Sequence, residues 1–153
     1  RKEHLLSEKV EKRLLLDVIE RAKKRYPFIL EGFCIMNNHI HLIIRPLKGA
    51  SLSRIMQWIL SVFAQAWNRR HQLTGHVWGD RFYSRIIQGF NDLVKVLSYI
   101  GENPVSAGLV NKKTDWEECG LHHRRIGTRN LIGPPPDWLR LILPGYFPLL
   151  ISD

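Results

Sequence analysis

Apolar residues recur at helical spacing between Ser7 and Arg25. Val10, Leu14 and Val18 repeat every fourth position, and Leu15, Ile19 and Ala22 widen the stripe. Lys23, Lys24 and Arg25 suit the negative end of the helix dipole, and Pro27 stops the helix. The period then shortens to two. Phe28–Met36 and His39–Arg45 read as strands joined by Asn37-Asn38, residues that tolerate the left-handed backbone of a tight hairpin. Along the second strand Ile40, Leu42 and Ile44 point one way, and His39, His41, Ile43 and Arg45 the other.

Helical spacing resumes after the Pro46–Ala50 loop. Ser51 can cap a helix that runs to Arg70, with Leu52, Ile55, Met56, Ile59, Phe63 and Trp67 as its buried stripe. Gly75–Asp80 is a turn-rich connection, Phe82–Gln88 reads as a third strand, and Asn91–Asn103 as a third helix ended by Pro104. Beyond Val110 the pattern decays. Residues 112–130 are basic and polar, Pro134-Pro135-Pro136 is a stiff spacer, and Leu139–Leu150 is an apolar tail that can pack back. The chain contains no internal repeat.

At 153 residues the chain holds one domain with a real core. Hydrophobic residues make up 44% and charged residues 24%, a globular balance rather than a disordered one. No apolar run reaches the roughly 18 residues of a membrane span. No leader pattern is visible, although the chain opens on Arg1 rather than a start methionine, which leaves room for an upstream piece. Cys34 and Cys119 alone do not make a disulfide framework, so a reducing cytoplasm is expected.

Charge narrows the class of partner. Lys and Arg number 23 against 14 Asp and Glu, a net +9, which favours a polyanion such as nucleic acid or an anionic membrane face. Residues 1–25 carry nine basic and five acidic groups, and residues 51–90 carry five basic groups against Asp80 alone.

Two constellations can carry chemistry. His39 and His41 lie at i and i+2 of a strand, on one face and roughly 7 Å apart at the backbone, a spacing at which two imidazoles can grip one cation. The plain alternative is two polar residues on a solvated face. On the third helix Leu93, Val96, Leu97 and Ile100 define the apolar face. Tyr99 lies roughly 120° from its centre, with Asn103 one turn above Tyr99. Either Tyr99 is an exposed ring covering a neighbour, or it is presented to a site where Asn103 supplies an oxygen to a cation. Together these parts suit phosphodiester chemistry, in which a divalent ion steadies charge and Tyr forms a covalent intermediate.

Three ordered blocks resemble one family. Phe33-Cys34-Ile35-Met36-Asn37-Asn38-His39-Ile40-His41-Leu42-Ile43-Ile44 resembles the His-hydrophobic-His strand of the single-tyrosine HUH transposases. Gly75-His76-Val77-Trp78-Gly79-Asp80-Arg81-Phe82-Tyr83-Ser84 is similar to their next block. Tyr99-Ile100-Gly101-Glu102-Asn103-Pro104-Val105 and the residues to Val110 are similar to their tyrosine helix and its exit. Asn, rather than Gln, four residues after the Tyr is more like the REP-associated tyrosine transposases than the mobile insertion-sequence enzymes.

The resemblance implies an α+β, ferredoxin-like antiparallel sheet with helices packed on it, in a domain over residues 1–125 followed by a Pro-rich tail over 126–153. It implies a metal-dependent endonuclease and strand transferase that cuts and rejoins single-stranded DNA beside hairpins of palindromic repeats. Tyr99 would be the nucleophile and form a 5′-phosphotyrosine. His39, His41 and Asn103 would hold Mg²⁺ or Mn²⁺, with Glu102 as the fallback for Asn103. The expected setting is the bacterial cytoplasm at the nucleoid, without a membrane partner, as monomer or homodimer.

The chain departs from the family pattern in four places. The family opens with a strand before the first helix, which here would lie upstream of Arg1. Asn37 stands where Pro is usual and Tyr83 where Lys is common. Gly101 falls between Tyr99 and Asn103, where it can let the helix end flex.

Arg69, Arg70, Arg81 and Arg85 flank the candidate site in sequence, and with Arg124 and Arg125 they are the candidate DNA contacts, holding phosphates without reading bases. Arg129 belongs to the same basic arm. Trp78 and Phe82 can stack unpaired bases or pack in the core. Cys119, His122 and His123 make only half a zinc site, at a spacing that matches no strong pattern. Two other readings stay open: a hairpin-binding protein of the same fold without catalysis, and a metal-dependent hydrolase of a small phosphodiester.

Overall fold

A computed structural model describes residues 5–79, 82–126 and 131, with the backbone alone at 124 and 125. Its elements are α1 (Lys9–Arg25), β1 (Phe28–Ile35), β2 (Ile40–Pro46), α2 (Leu52–His71), α3 (Phe90–Ser106), a 3₁₀ turn (Lys113–Asp115) and α4 (Gly120–Ile126). The described chain divides into two compact units. One comprises the segment to Ile29, the turn Met36–His39 and Arg45–Arg85; the other comprises Leu30–Ile35, Ile40–Ile44 and the chain from Ile86.

In the first unit α1 packs against α2. Leu15, Val18, Ile19 and Ala22 are buried on α1, and Ile55, Met56, Ile59, Phe63 and Trp67 on α2, the stripes that periodicity predicts. Ser51 caps α2 by accepting from the Arg54 N–H at 3.3 Å. The helices run antiparallel, since Glu11 near the start of α1 meets His71 at the end of α2, while Tyr26 after α1 meets Trp58 early in α2. The α1 stripe is rotated from expectation. Val10 is exposed, and Glu11 and Lys12 are buried instead. Lys12 Nζ donates to the Ser7 carbonyl. Glu11 Oε1 accepts from His71 Nε2 at 2.8 Å and Arg70 Nε at 3.3 Å. Ion pairing thus compensates part of the cost of burying that carboxylate.

The strands form an antiparallel hairpin closed by Met36 N–H donating to the His39 carbonyl at 2.9 Å. The turn uses ordinary backbone: among the described residues only Lys48 and Gln72 are non-glycines at positive φ, so Asn37 and Asn38 do not adopt the left-handed conformation expected of them.

In the second unit that register places Gly32 opposite Ile43 and Cys34 opposite His41. The missing Cβ of Gly32 matters here. A Cβ would stand 3.0 Å from Leu97 Cδ2 and 3.3 Å from Ile43 Cδ1, so glycine lets α3 settle onto the hairpin. The face carrying His41 and Ile43 is therefore covered by a helix rather than solvated. The other edge of β1 pairs with 118–119: Ile35 N–H donates to the Glu118 carbonyl, and Cys34 bridges Cys119. Trp116 Nε1 donates to the Ile35 carbonyl at 2.9 Å. Order thus continues past Val110, where the sequence pattern fades.

Two expectations fail. Phe82–Gln88 is not a strand, and it leaves apolar side chains exposed: Tyr83 is 90% and Ile86 82% exposed. Gln88 N–H donates to Asp92 Oδ2 at the start of α3 rather than to a sheet neighbour. Nor does Pro104 end α3, which continues to Ser106. The stop is set further on by Gly108 at φ 72°, whose N–H donates to Val105 C=O while Leu109 N–H donates to Pro104 C=O. This is the paired hydrogen bonding of a Schellman motif, with glycine at the left-handed position. The Pro-rich spacer and the apolar tail lie outside the described residues; Leu131, which precedes them, is buried.

Candidate active site

The decisive consequence of the longer helix is that Asn103 keeps helical backbone despite the proline after it. Its side chain therefore stays one turn above Tyr99, as α-helical geometry requires. His41 meets both. Asn103 Nδ2 lies 3.1 Å from His41 Nε2, and the Tyr99 ring stands edge-on to the imidazole at 5.6 Å between centroids and 83° between planes. Tyr99 is 63% exposed and Asn103 half-buried, so the nucleophile candidate faces solvent while the amide is anchored. Three residues from two sequence blocks converge here.

His39 sits at the last position of the hairpin turn, where its Nδ1 pairs with Asn38 Oδ1 at 2.8 Å. Burial pulls its pKa below the ordinary histidine value, which favours the neutral imidazole that a cation takes. Glu102, the fallback ligand, is exposed. Among the described residues no three His, Cys, Asp or Glu side chains gather to hold a metal ion. A cation would therefore rest on a donor set that includes the Asn103 carboxamide. The residues present fit that role: an imidazole nitrogen and an amide already meet, and turning the amide would offer its oxygen in place of its NH₂. Nitrogen and oxygen donors of this kind suit Mn²⁺, and the oxygen donor suits Mg²⁺.

Below the site, Gly101 is buried, and its role is packing. A Cβ there would meet Leu121 Cδ1 of α4 at 2.6 Å. No sequence signal singles out Leu121, because the contact joins segments with no shared period. Gly108 could have been read from the glycine that follows the helix pattern.

Arg69 is exposed, Arg70 is half-exposed and bound to Glu11, and Arg85 is exposed. Arg81 and the side chains of Arg124 and Arg125 lie outside the described residues, as does Arg129. Trp78 packs on Phe63 at 5.2 Å and donates to the Leu60 carbonyl, so it serves the first unit's core. Phe82 is exposed. Cys119 is engaged with Cys34, His122 with the Thr114 carbonyl, and His123 with the Phe33 ring.

A family model of IS200-like transposases matches residues 1–103. The chain belongs to that family. A Haemophilus influenzae protein provisionally named a REP-associated tyrosine transposase is 28% identical over 109 residues, which cover 65% of this chain and 62% of that relative. The match thus spans less than two thirds of the relative's length. A solved structure of a REP-associated tyrosine transposase bound to a REP hairpin superimposes with a TM-score of 0.71 at 22% identity, covering 89% of this chain and 80% of that one. At that identity the likeness is one of fold, and the α+β class expected of the chain holds. No described helix is long and apolar enough to cross a membrane.

Proposed function

We propose that this chain is a strand transferase that cleaves and rejoins single-stranded DNA beside hairpins of palindromic repeats, with Tyr99 as nucleophile. The observation that carries the reading is His41 meeting both Tyr99 and Asn103 from across the chain. The family, the net charge of +9 and the hairpin-bound structural neighbour support the choice of partner. His41, Asn103 and His39, which lies two positions before His41 in the chain, are the proposed ligands of Mg²⁺ or Mn²⁺. The ion would supply charge neutralisation at the phosphate.

The protein's own part is positioning and attack. Tyr99, presented to solvent by α3, loses its phenolic proton to solvent or a neighbouring base. Its oxygen forms a bond to phosphorus as the bond from phosphorus to the 3′ oxygen breaks. The electron pair leaves on that oxygen, which takes a proton to become a 3′ hydroxyl. The 5′ phosphate stays on Tyr99, and attack by another 3′ hydroxyl reverses the step without loss of bond energy to water.

Covalent trapping tests this. The full chain is mixed with Mn²⁺ and 3′-labelled single-stranded hairpins drawn from the DNA surrounding its own gene. The expected result is label that migrates with protein on a denaturing gel and disappears with Tyr99→Phe or a chelator. Tight hairpin binding without any adduct, at full Mn²⁺ occupancy, would overturn catalysis and leave a hairpin-binding protein.

A further inference from the structure

The α1–α2 pair carries a cluster that the proposed chemistry does not use. The Arg21 guanidinium lies 5.6 Å from the centroid of the Trp58 ring, and that of Arg25 lies 5.9 Å from the same ring and 5.6 Å from the Tyr26 ring. Tyr26 stands edge-on to Trp58 at 6.4 Å. Arg21 and Arg25 are four residues apart on one helix, so both charges sit on one side of α1, an arrangement that repels itself. Among the described residues neither guanidinium pairs with a carboxylate. Arg54, also exposed, is one turn from Trp58 on α2, a helix that holds no Asp or Glu.

Although Asp17 lies one turn before Arg21 on α1, the two guanidinium groups gather at Trp58 and can take a polyanionic partner. The geometry also says what kind. A ring under a guanidinium covers its flat face and leaves an N–H edge; on Arg25 the Nε of that edge donates to the Tyr26 hydroxyl at 3.4 Å, so its two Nη groups make up the remaining edge. That edge is a fork matched to a pair of phosphate oxygens. Because the arginines already occupy the indole, Trp58 serves as their platform rather than as a stacking surface for a base. Contacts of this kind hold backbone and read no sequence.

We propose that Arg21, Arg25 and Arg54, set around Trp58, form a clamp for the phosphodiester backbone of duplex DNA, and that the stem of the hairpin lies on this face of α1 and α2. The proposal takes from the reading above only that the partner is DNA. It adds a contact surface distinct from the arginines that flank the candidate site in sequence.

The test is the salt dependence of binding, by fluorescence anisotropy, for a labelled hairpin and a plain duplex with the same stem. Each phosphate contact contributes about 0.9 to the slope of log K against log salt, so Arg21→Gln with Arg25→Gln lowers the slope by about 1.8 on both DNAs. A control removes the same charge from the exposed Arg13 and Lys48 and leaves the slope unchanged. Circular dichroism shows that both double variants are folded. A slope equal to wild type in R21Q/R25Q overturns the clamp, as does an equal fall in the control, which would mean net charge alone. If wild type binds neither DNA, the clamp and the hairpin reading fail together. If it binds both equally and R21Q/R25Q lowers the slope, the clamp stands and the hairpin preference falls.

Discussion

Asn103 and His41, 62 positions apart in the chain, meet side chain to side chain at 3.1 Å. If this pair is half of a cation site, Asn103→Ala weakens Mn²⁺ binding at least about tenfold, since losing even an outer-shell partner costs that much. Titration calorimetry measures it. Asn103→Asp restores an oxygen donor and binding with it. Equal Mn²⁺ affinity in all three proteins would remove Asn103 from the ligand set.

Gly101 sets two effects against each other. Helix propensity alone makes Gly101→Ala stabilising by about 1 kcal/mol. The Leu121 methyl 2.6 Å from the new Cβ makes it overpacked, at about 1–3 kcal/mol. The packing cost exceeds the propensity gain, so urea unfolding shows net destabilisation. In a Leu121→Ala background the same substitution becomes stabilising, because the obstructing methyl is gone.

The end of α3 rests on Gly108. At φ 72° an L-residue carries a cost of about 1–2 kcal/mol, so Gly108→Ala lowers stability by that amount. Gly120→Ala, at the helical start of α4, serves as the comparison in the same denaturation series.

Glu11 predicts an asymmetry. His71→Ala leaves a buried carboxylate with Arg70 alone and costs about 1–3 kcal/mol. Glu11→Met costs less, since Arg70 and His71 are exposed enough to regain water and the apolar chain suits the site. Equal losses in chemical denaturation would mean that packing, rather than charge, dominates there.

Cys34 and Cys119 are buried neighbours across the bridge, and the hydrogen bond with Cys119, together with burial, pushes the Cys34 thiol up. Neither residue is expected to react with iodoacetamide in the native protein, and both should react in guanidinium chloride. Labelling of the native chain, followed by mass spectrometry, would show that the 118–119 segment opens from β1.

Much of this protein is legible one segment at a time. The α1 and α2 stripes, the hairpin strands and the stacking of Asn103 above Tyr99 follow from periods of 3.6 and two, which local sequence carries. So does the family, through motifs held in order along the chain. What failed was local grammar judged without its surroundings. Pro104 reads as a stop, yet Gly108 supplies the real one. Phe82–Gln88 reads as a strand but is not one, and it is 118–119 that pairs with β1. Glu11 reads as surface until His71 and Arg70 arrive from another helix. Tertiary structure alone decided that α3 lies on the His41 face, because only Gly32, opposite Ile43, leaves room for Leu97 to approach. Periodicity fixes which residues share a face; steric fit between distant segments decides which faces meet.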